Sequence, residues 1–445
     1  MNYPTDLQPV PASTEACPPW QREAPLGAGG TGAVFRVRRG EEVRALKWYH
    51  PNPRAQDIQA ALAHLAQFPM PSSSFLWPLE VVHEASLTDF GCLMPLREGR
   101  FRSLSDLMQN RPTSASYPAM RQLLRAAAEL TQAFEAIHLL NLAWCDFSTG
   151  NVFIDPATGE LQLCDIDGLC PAENLKPHFH PDPRFAAPEL IEGHAPPSSD
   201  SDLFTLALAL FCLLVGRHPM ENPQLIFPTD APRFHPPGDS AAPSELFGES
   251  RQAAARWKAL TSSLREAFQL EFSNGVPDPQ SRPSTKFWLS ELRKASDQLI
   301  DCPTDGFASC VDTLIASGVE ATTELAPRLC PICNREILPG ARLVIDRQLN
   351  KENPPSPTIV LLTPETKLYQ YHFSRDGEPR EIVAQAQAHP NRPRTLGLRN
   401  VGNRSWKVVL SEGTEKQVDP GFVLELTDGA VVTIGDSNCH VYSNQ

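Results

Sequence analysis

Apolar residues recur along this chain with two periods, and the alternation between them lays out its elements. Val34, Arg36 and Arg38 alternate with their neighbours as in a strand, and R-A-L-K-W-Y (residues 44–49) reads as another. Pro53 to Phe68 places Ile58, Leu62 and Leu65 on one helical face. W-P-L-E-V-V-H (77–83) and F-G-C-L-M-P-L (90–96) predict two more strands, and Ala119 to Leu140 a helix with Leu123, Ala127, Leu130, Phe134 and Ile137 in register. Leu203 to Val215 is apolar on nearly every face, which predicts a buried central helix, with Asp202 as its cap. From about Pro357 onward the pattern is all strand: T-I-V-L-L, L-Y-Q-Y-H-F, T-L-G-L-R-N-V, W-K-V-V-L, F-V-L-E-L and V-V-T-I-G, separated by turn residues. That spacing predicts a small β-sandwich.

Composition narrows the classes. A chain of 445 residues can hold two or three domains, and its net charge of -13 with no long basic run argues against nucleic acid or an anionic membrane as the main partner. The run from Leu203 to Val215 is too short to span a bilayer, and the opening M-N-Y-P-T-D-L lacks a signal-peptide pattern, so a soluble, cytoplasmic protein is expected. The 11 cysteines are scattered, Cys164 and Cys212 among them in apolar stretches, which suits a reducing compartment. The 44 prolines cluster near 1–25, 217–243 and 353–357, read as a tail, an internal loop and a linker.

Candidate chemistry centres on Ala143 to Gly168. Asp146 precedes Asn151 by five positions, a hairpin follows, and Asp165 and Asp167 close the apolar run ending in Leu163 and Cys164. Phosphoryl transfer uses one carboxylate to orient an attacking hydroxyl, plus an amide and a second carboxylate to hold magnesium against ATP phosphates. A polar hairpin that binds nothing has the same residue types, so the flanking motifs decide. Leu26 to Val37 carries Gly27, Gly29 and Gly32 in G-x-G-x-x-G, with Val34 two residues on. Strands on both sides make this a flap over phosphates rather than the turn that opens a dinucleotide-binding helix. Lys47, within R-A-L-K beside Ala45, is placed to reach those phosphates, and Met94, Pro95 and Leu96 form the expected hinge against adenine.

Further on come A-P-E (Ala187, Pro188, Glu189), D-L-F-T-L-A and D-P-Q-S-R-P with Arg282. Glycine flap, R-A-L-K, D-x-x-x-x-N, D-x-D, A-P-E, D-L-F-T-L-A and D-P-x-x-R-P occur in protein-kinase order over about residues 20–298. The chain therefore resembles bacterial eukaryotic-like serine/threonine protein kinases. Its W-P-L strand, L-M-P hinge, I-D-x-D metal motif and C-P-x-C resemble the branch found with tellurite-resistance operons. The resemblance implies an α+β, bilobal kinase fold and ATP and magnesium as cofactors. It also implies a Glu189–Arg282 pair, and as partners a von Willebrand A domain protein and a metal-dependent phosphatase. By it Asp146 orients the hydroxyl, Asn151 and Asp165 bind magnesium, and Lys47 holds the phosphates. Gly27, Gly29, Gly32, Val34, Ala45, Met94 and Leu96 line the nucleotide.

The departures are informative. Kinases carry a glutamate on the helix after the strand lysine, yet no glutamate lies between Glu42 and Glu80; Asp57, Gln56, Gln59 and Gln67 are the alternatives. Trp144 and Cys145 replace the usual histidine and arginine, and Ser148 the usual lysine. Between Asp165 and Glu189 there is no Ser, Thr or Tyr. With Cys145 in place of the phosphate-clamping arginine, this predicts a kinase that is not switched by activation-loop phosphorylation, ordered instead through Arg184, Lys176 or a partner. The missing glutamate and Ser148 keep open a pseudokinase scaffold that binds nucleotide without transferring phosphate.

Cys302, Cys310, Cys330 and Cys333 form C-x7-C-x19-C-x2-C, the spacing of a structural zinc site with a C-P-x-C knuckle. The expected order is a flexible tail (1–19), a kinase domain (20–298), a zinc knuckle (299–345) and a β-rich domain (346–445). L-R-N-V-G-N-R-S-W-K-V and D-G-A-V-V-T-I-G resemble the latter half of a forkhead-associated domain, but the phosphate-holding G-R and S-x-x-H are not evident, so a plain docking module is the other reading.

Overall fold

The computed structural model describes residues 6–9, 19–83, 89–109, 117–174, 181–219, 250–312, 328–337, 340–347, 357–374 and 381–443. It divides into one unit of Met1–Ala254 with Glu266–Ser290 and a second of Ala255–Arg265 with Glu291–Gln445.

The first unit opens with strands β1 (Asp6–Pro9), β2 (Trp20–Ala28), β3 (Gly32–Arg39), β4 (Glu42–Tyr49), β5 (Glu80–His83) and β6 (Phe90–Met94), closed into a barrel in the order β1-β2-β3-β4-β6-β5. Residues 6–9 fall in the stretch expected to be a tail, and they correct that expectation. They pair with β2 and β5 and so cover two strand edges that would otherwise present unpaired backbone groups. Period-two alternation gives β4 two roles. Leu46 and Trp48 point into the barrel core with Trp20, Phe35, Val37, Val82 and Leu93. Lys47 and Tyr49 point to the other face, where Tyr49 packs with Ile58 and Leu62 of helix α1 (Ala55–Leu65).

Next come β7 (Arg102–Ser103), α2 (Leu104–Met108), α3 (Met120–Leu139), β8 (Leu142–Trp144), β9 (Val152–Ile154), β10 (Leu161–Leu163), β11 (Leu169–Pro171), α4 (Pro188–Ile191) and α5 (Ser199–Val215). Helix α5 is buried around its circumference, as its apolar run predicts. Its N-cap is Ser198, in a reciprocal capping box with Ser201, and Gly216 ends it with φ 82°. Asp202, expected to be the cap, serves elsewhere. Helices α6 (Arg251–Ala259), α7 (Ser262–Ser273) and α8 (Thr285–Asp297) complete the helical part.

In the second unit, β12 (Leu299–Asp301) pairs with β13 (Ala308–Cys310), and β14 (Arg328–Leu329) with β15 (Glu336–Ile337). Two antiparallel sheets follow. Six strands run β17 (Thr358–Leu361), β16 (Arg342–Arg347), β25 (Ser437–Tyr442), β24 (Val431–Ile434), β21 (Trp406–Val409) and β22 (Glu415–Val418). Four run β18 (Lys367–Tyr369), β19 (Ile382–His389), β20 (Arg392–Asn400) and β23 (Val423–Glu425). Leu343, Ile345, Trp406, Val432 and Val441 of the first share one buried core with Leu368, Ala384, Ala386 and Leu398 of the second.

Candidate active site

Lys47 lies opposite Val34 on β3 and Cys92 on β6, so its backbone is held from both sides. Its ammonium is buried, 2.8 Å from Asp167 Oδ2 and 3.2 Å from Asp165 Oδ1, and the Tyr49 hydroxyl donates to the same Asp167 oxygen at 2.8 Å. Burial alone would drive the ammonium's pKa down; the Asp167 and Asp165 carboxylates outweigh this and hold it above its usual value. Burial, reinforced by Asp167, also pushes the Tyr49 phenol well up, so it stays a hydrogen-bond donor. None of the residues considered for this pairing, in α1 or just after it, reaches the lysine. Gln56 and Asp57 are exposed, Gln59 meets His83 at 3.0 Å, and Gln67 bonds the Ala63 carbonyl.

The second half of the site is a strand, a loop and a hairpin. After β8, a short 3-10 turn (Thr149–Asn151) aims the Asn151 amide back at the Asp146 carbonyl, 3.4 Å away. β9 and β10 pair Val152 with Leu163, and the Cys164 N–H donates to the Asn151 carbonyl at 3.0 Å. The hairpin thus returns the chain to Asn151 just before Asp165. Asp165 has φ 53°, a left-handed backbone that non-glycine residues hold at a cost and that clusters at functional sites. Its side chain is 44% exposed, whereas Asp167 is buried. A Cβ on Gly168 would lie 3.0 Å from that of Asp146, so glycine lets the two segments close, and the Cys145 N–H bonds the Gly168 carbonyl at 3.0 Å. Burial pushes the Asp146 carboxyl up, helped by the charges of Asp167, Asp182 and Asp165.

Buried supports lie beneath. Asp202 accepts the Trp144 N–H at 3.0 and 3.1 Å and faces His138 Nε2 at 3.0 Å, so it fixes the strand leading into Asp146. This explains why it is not the helix cap, and His138, near the end of α3, serves as a half-buried structural partner. Arg282 forms the expected fork with Glu189, at 2.7 and 2.9 Å, and also bonds the Gly275 and Asp200 carbonyls. Fully buried Glu271 lies 3.7 Å from Arg282 Nε; burial pushes its pKa up to about 8. Cys145 packs its thiol against that of Cys170, and Arg184 is engaged by Asp182 at 2.7 Å. Lys176 lies outside the described residues.

In the glycine hairpin, Gly27 lies in β2 opposite Val34 and Gly29 in the β2–β3 turn, which a Gly29 N–H to Gly32 carbonyl bond of 2.9 Å closes. A Cβ at Gly32 would sit 2.3 Å from the Trp48 carbonyl oxygen, so this glycine is required by the approach of β4. Ala45 is buried opposite Met94, and Met94 and Leu96 are half-buried. Asp167, Tyr49, Gly168 and Asp202 are the site residues that motif reading misses as such. Tyr49 carried a signal, being two residues from Lys47 on one strand face.

In the second unit, Cys302, Cys330 and Cys333 come together with Asp305, their ligand atoms all within 4.8 Å of one another. Cys310, expected as the fourth member, is buried in β13 outside this group.

The protein kinase domain family model matches residues 20–284. The chain belongs to the protein kinase family. Over 108 residues the kinase is 34% identical to serine/threonine-protein kinase SBK2 of Homo sapiens, covering 22% of this chain and 30% of that protein. Over 105 residues it is 34% identical to serine/threonine-protein kinase PknK of Mycobacterium tuberculosis, covering 23% of this chain and 9% of that one. The kinase therefore spans less than a third of the length of these curated relatives. The crystal structure of the Mycobacterium tuberculosis PknI kinase domain aligns with a TM-score of 0.43 at 17% identity, covering 62% of this chain and 95% of that chain. Among the described residues no helix is long and apolar enough to cross a membrane.

Proposed function

We propose that this kinase is a catalytically active, ATP- and magnesium-dependent enzyme that phosphorylates serine or threonine hydroxyls of partner proteins in the cytoplasm. The observation that carries this reading is the buried Lys47–Asp167–Tyr49 cluster. Asp167 supplies the anion that the helix after the strand lysine lacks, so the lysine is held extended and charged without a helix glutamate.

The donor set suits the nucleotide and metal that the family implies: a buried ammonium on β4, a partly exposed carboxylate at Asp165, and an amide oxygen at Asn151. Bound magnesium and ATP supply the transferable phosphoryl group and neutralise its charge. Lys47 holds phosphate oxygens, Asn151 and Asp165 offer oxygen ligands, and the Gly27–Gly32 hairpin covers the phosphates. Asp146 accepts the substrate hydroxyl's hydrogen bond and orients it. Ordering of the activation segment without a phosphosite fits the Arg184–Asp182 pair and the Cys145–Cys170 contact.

Ser148, where the family usually has lysine, favours the second reading of a nucleotide-binding pseudokinase scaffold. In the same proposal residues 20–298 form the catalytic domain and 346–445 a β-sandwich-like docking module. The partners to test are a von Willebrand A domain protein and a metal-dependent phosphatase. Radiolabelled ATP with purified full chain and a generic protein substrate decides between the readings. Transfer that disappears in Asp146→Asn and falls at least about tenfold in Asp167→Asn supports the enzyme. Nucleotide binding with no transfer above the Asp146→Asn background establishes the scaffold.

A further inference from the structure

Two hairpins in the second unit have one geometry. In C-P-T-D-G-F (302–307) the Cys302 N–H donates to the Phe307 carbonyl at 3.0 Å and the Gly306 N–H to the Cys302 carbonyl at 2.9 Å, with Gly306 at φ 72°. In C-P-I-C-N-R (330–335) the Cys330 N–H donates to the Arg335 carbonyl at 2.8 Å and the Asn334 N–H to the Cys330 carbonyl at 2.9 Å, with Asn334 at φ 57°. Each tops a two-stranded ladder in the same register, Asp301 opposite Ala308 and Leu329 opposite Glu336. The two turns superpose in sequence as C-P-x-D and C-P-x-C, which sets Asp305 on Cys333. In both, turn N–H groups point at sulfur: those of Thr304 and Asp305 at Cys302, that of Ile332 at Cys330 and that of Arg335 at Cys333.

Distances agree with a single ion. A tetrahedral site with metal–sulfur bonds of about 2.3 Å and metal–oxygen bonds of about 2.1 Å sets sulfur pairs about 3.8 Å apart and sulfur–oxygen pairs about 3.6 Å apart. Cys302 Sγ and Cys333 Sγ are 3.6 Å apart, and Cys330 Sγ is 3.4 Å from Asp305 Oδ2. Asp305 Oδ1 accepts the Phe307 N–H at 2.9 Å, which orients the carboxylate and leaves Oδ2 toward the sulfurs. Cys302 and Cys330 also sit in one apolar cluster with Ile300, Val311, Ile337 and Val344, so the two hairpins converge. Cys310 has no place in this arrangement; it lies in β13, and its carbonyl accepts from the Arg328 side chain of β14.

We propose that Cys302, Asp305, Cys330 and Cys333 form a twin-knuckle site for one structural zinc ion, with Asp305 as the fourth ligand and Cys310 as a core residue. Thiolates favour zinc among the hard and borderline divalent ions, and four protein ligands leave no open position for catalysis. The ion would tie together ladders of two or three residues a side, which are marginal on their own.

Elemental analysis and the rate of zinc release to a colorimetric chelator, on the full chain expressed with zinc, test this. About one zinc per chain is expected in wild type, Cys310→Ala and Asp305→Cys, with Asp305→Ala empty or releasing zinc at least tenfold faster. Should Asp305→Ala fail to fold, Asp305→Cys still decides, because restoring a fourth thiolate at a true ligand position must retain zinc and slow its release. Zinc lost from Cys310→Ala but kept by Asp305→Ala, zinc absent from Asp305→Cys, or a wild type that takes up neither zinc nor cobalt overturns the assignment.

Discussion

Lys47 is buried, and a buried ammonium persists only beside an anion; the chain supplies one at Asp167 and a second, more exposed, at Asp165. The division of labour between these two acids has consequences for rate. In the proposed mechanism Asp165→Ala removes a metal ligand and Asp146→Asn the hydroxyl acceptor, and each is expected to lower turnover by about 30- to 1000-fold, or about 2–4 kcal/mol. Steady-state kinetics check this, and wild-type turnover in Asp165→Ala would refute the assignment. Glu271 governs a separate, pH-linked property. Its carboxyl pKa is about 8 in the folded chain against 4.5 as the ordinary value, so the folded state binds the proton more tightly. The stability this contributes is complete below about pH 4.5 and is lost as pH rises through about 8. Glu271→Gln stays neutral, so its unfolding free energy is expected above wild type at pH 8.5, by an amount on the order of a few kcal/mol, with the gap closing toward pH 5. An unchanged gap across that range would exclude Glu271 as the titrating group.

At the scale of elements, the loop that carries Asp146 is held by its neighbours. β8 pairs with β11, Asp202 of α5 grips the Trp144 N–H, and Gly168 lets the β11 side close on Asp146. The activation segment contains no hydroxyl to accept phosphate between Asp165 and Glu189, and Cys145 packs on Cys170 instead of offering a cation. Phosphatase-treated enzyme is therefore expected to start at its full initial rate, with no lag during incubation with ATP. A lag that preincubation with ATP removes would locate a controlling phosphosite outside this segment.

At the scale of the whole molecule, the ladders around Cys302 and Cys330 are only two or three residues a side, too short to hold on their own. Chelator treatment is expected to raise amide exchange in β12 to β15 at least tenfold while β3, β4 and β6 keep their protection; exchange unchanged in β12 to β15 would deny the ion a structural role. Much of the molecule was legible in sequence because its signals are local. The glycine hairpin, R-A-L-K, D-x-x-x-x-N and A-P-E each encode a short segment, and alternation from Pro357 onward marked β17, β18, β20, β21, β23 and β24 of the two final sheets but not β16, β19, β22 or β25. Even the Glu189–Arg282 fork could be anticipated, because the resemblance of the motifs that hold the two residues implies it. The partner of Lys47 could not: it lies 120 residues away, on a turn whose direction depends on the β9–β10 hairpin and on Gly168. Asp305 was hidden for a related reason, because counting cysteines sees ligand type, whereas the congruence of two hairpins is a property of backbone hydrogen bonds. β1 closes the barrel through pairings with β2 and β5 that no pattern in its four residues announces. Sequence alone determined the segments that carry their own period or motif, since those signals depend on neighbours along the chain. Tertiary structure decided which charges meet, since burial pairs groups by distance in space whatever their separation along the chain.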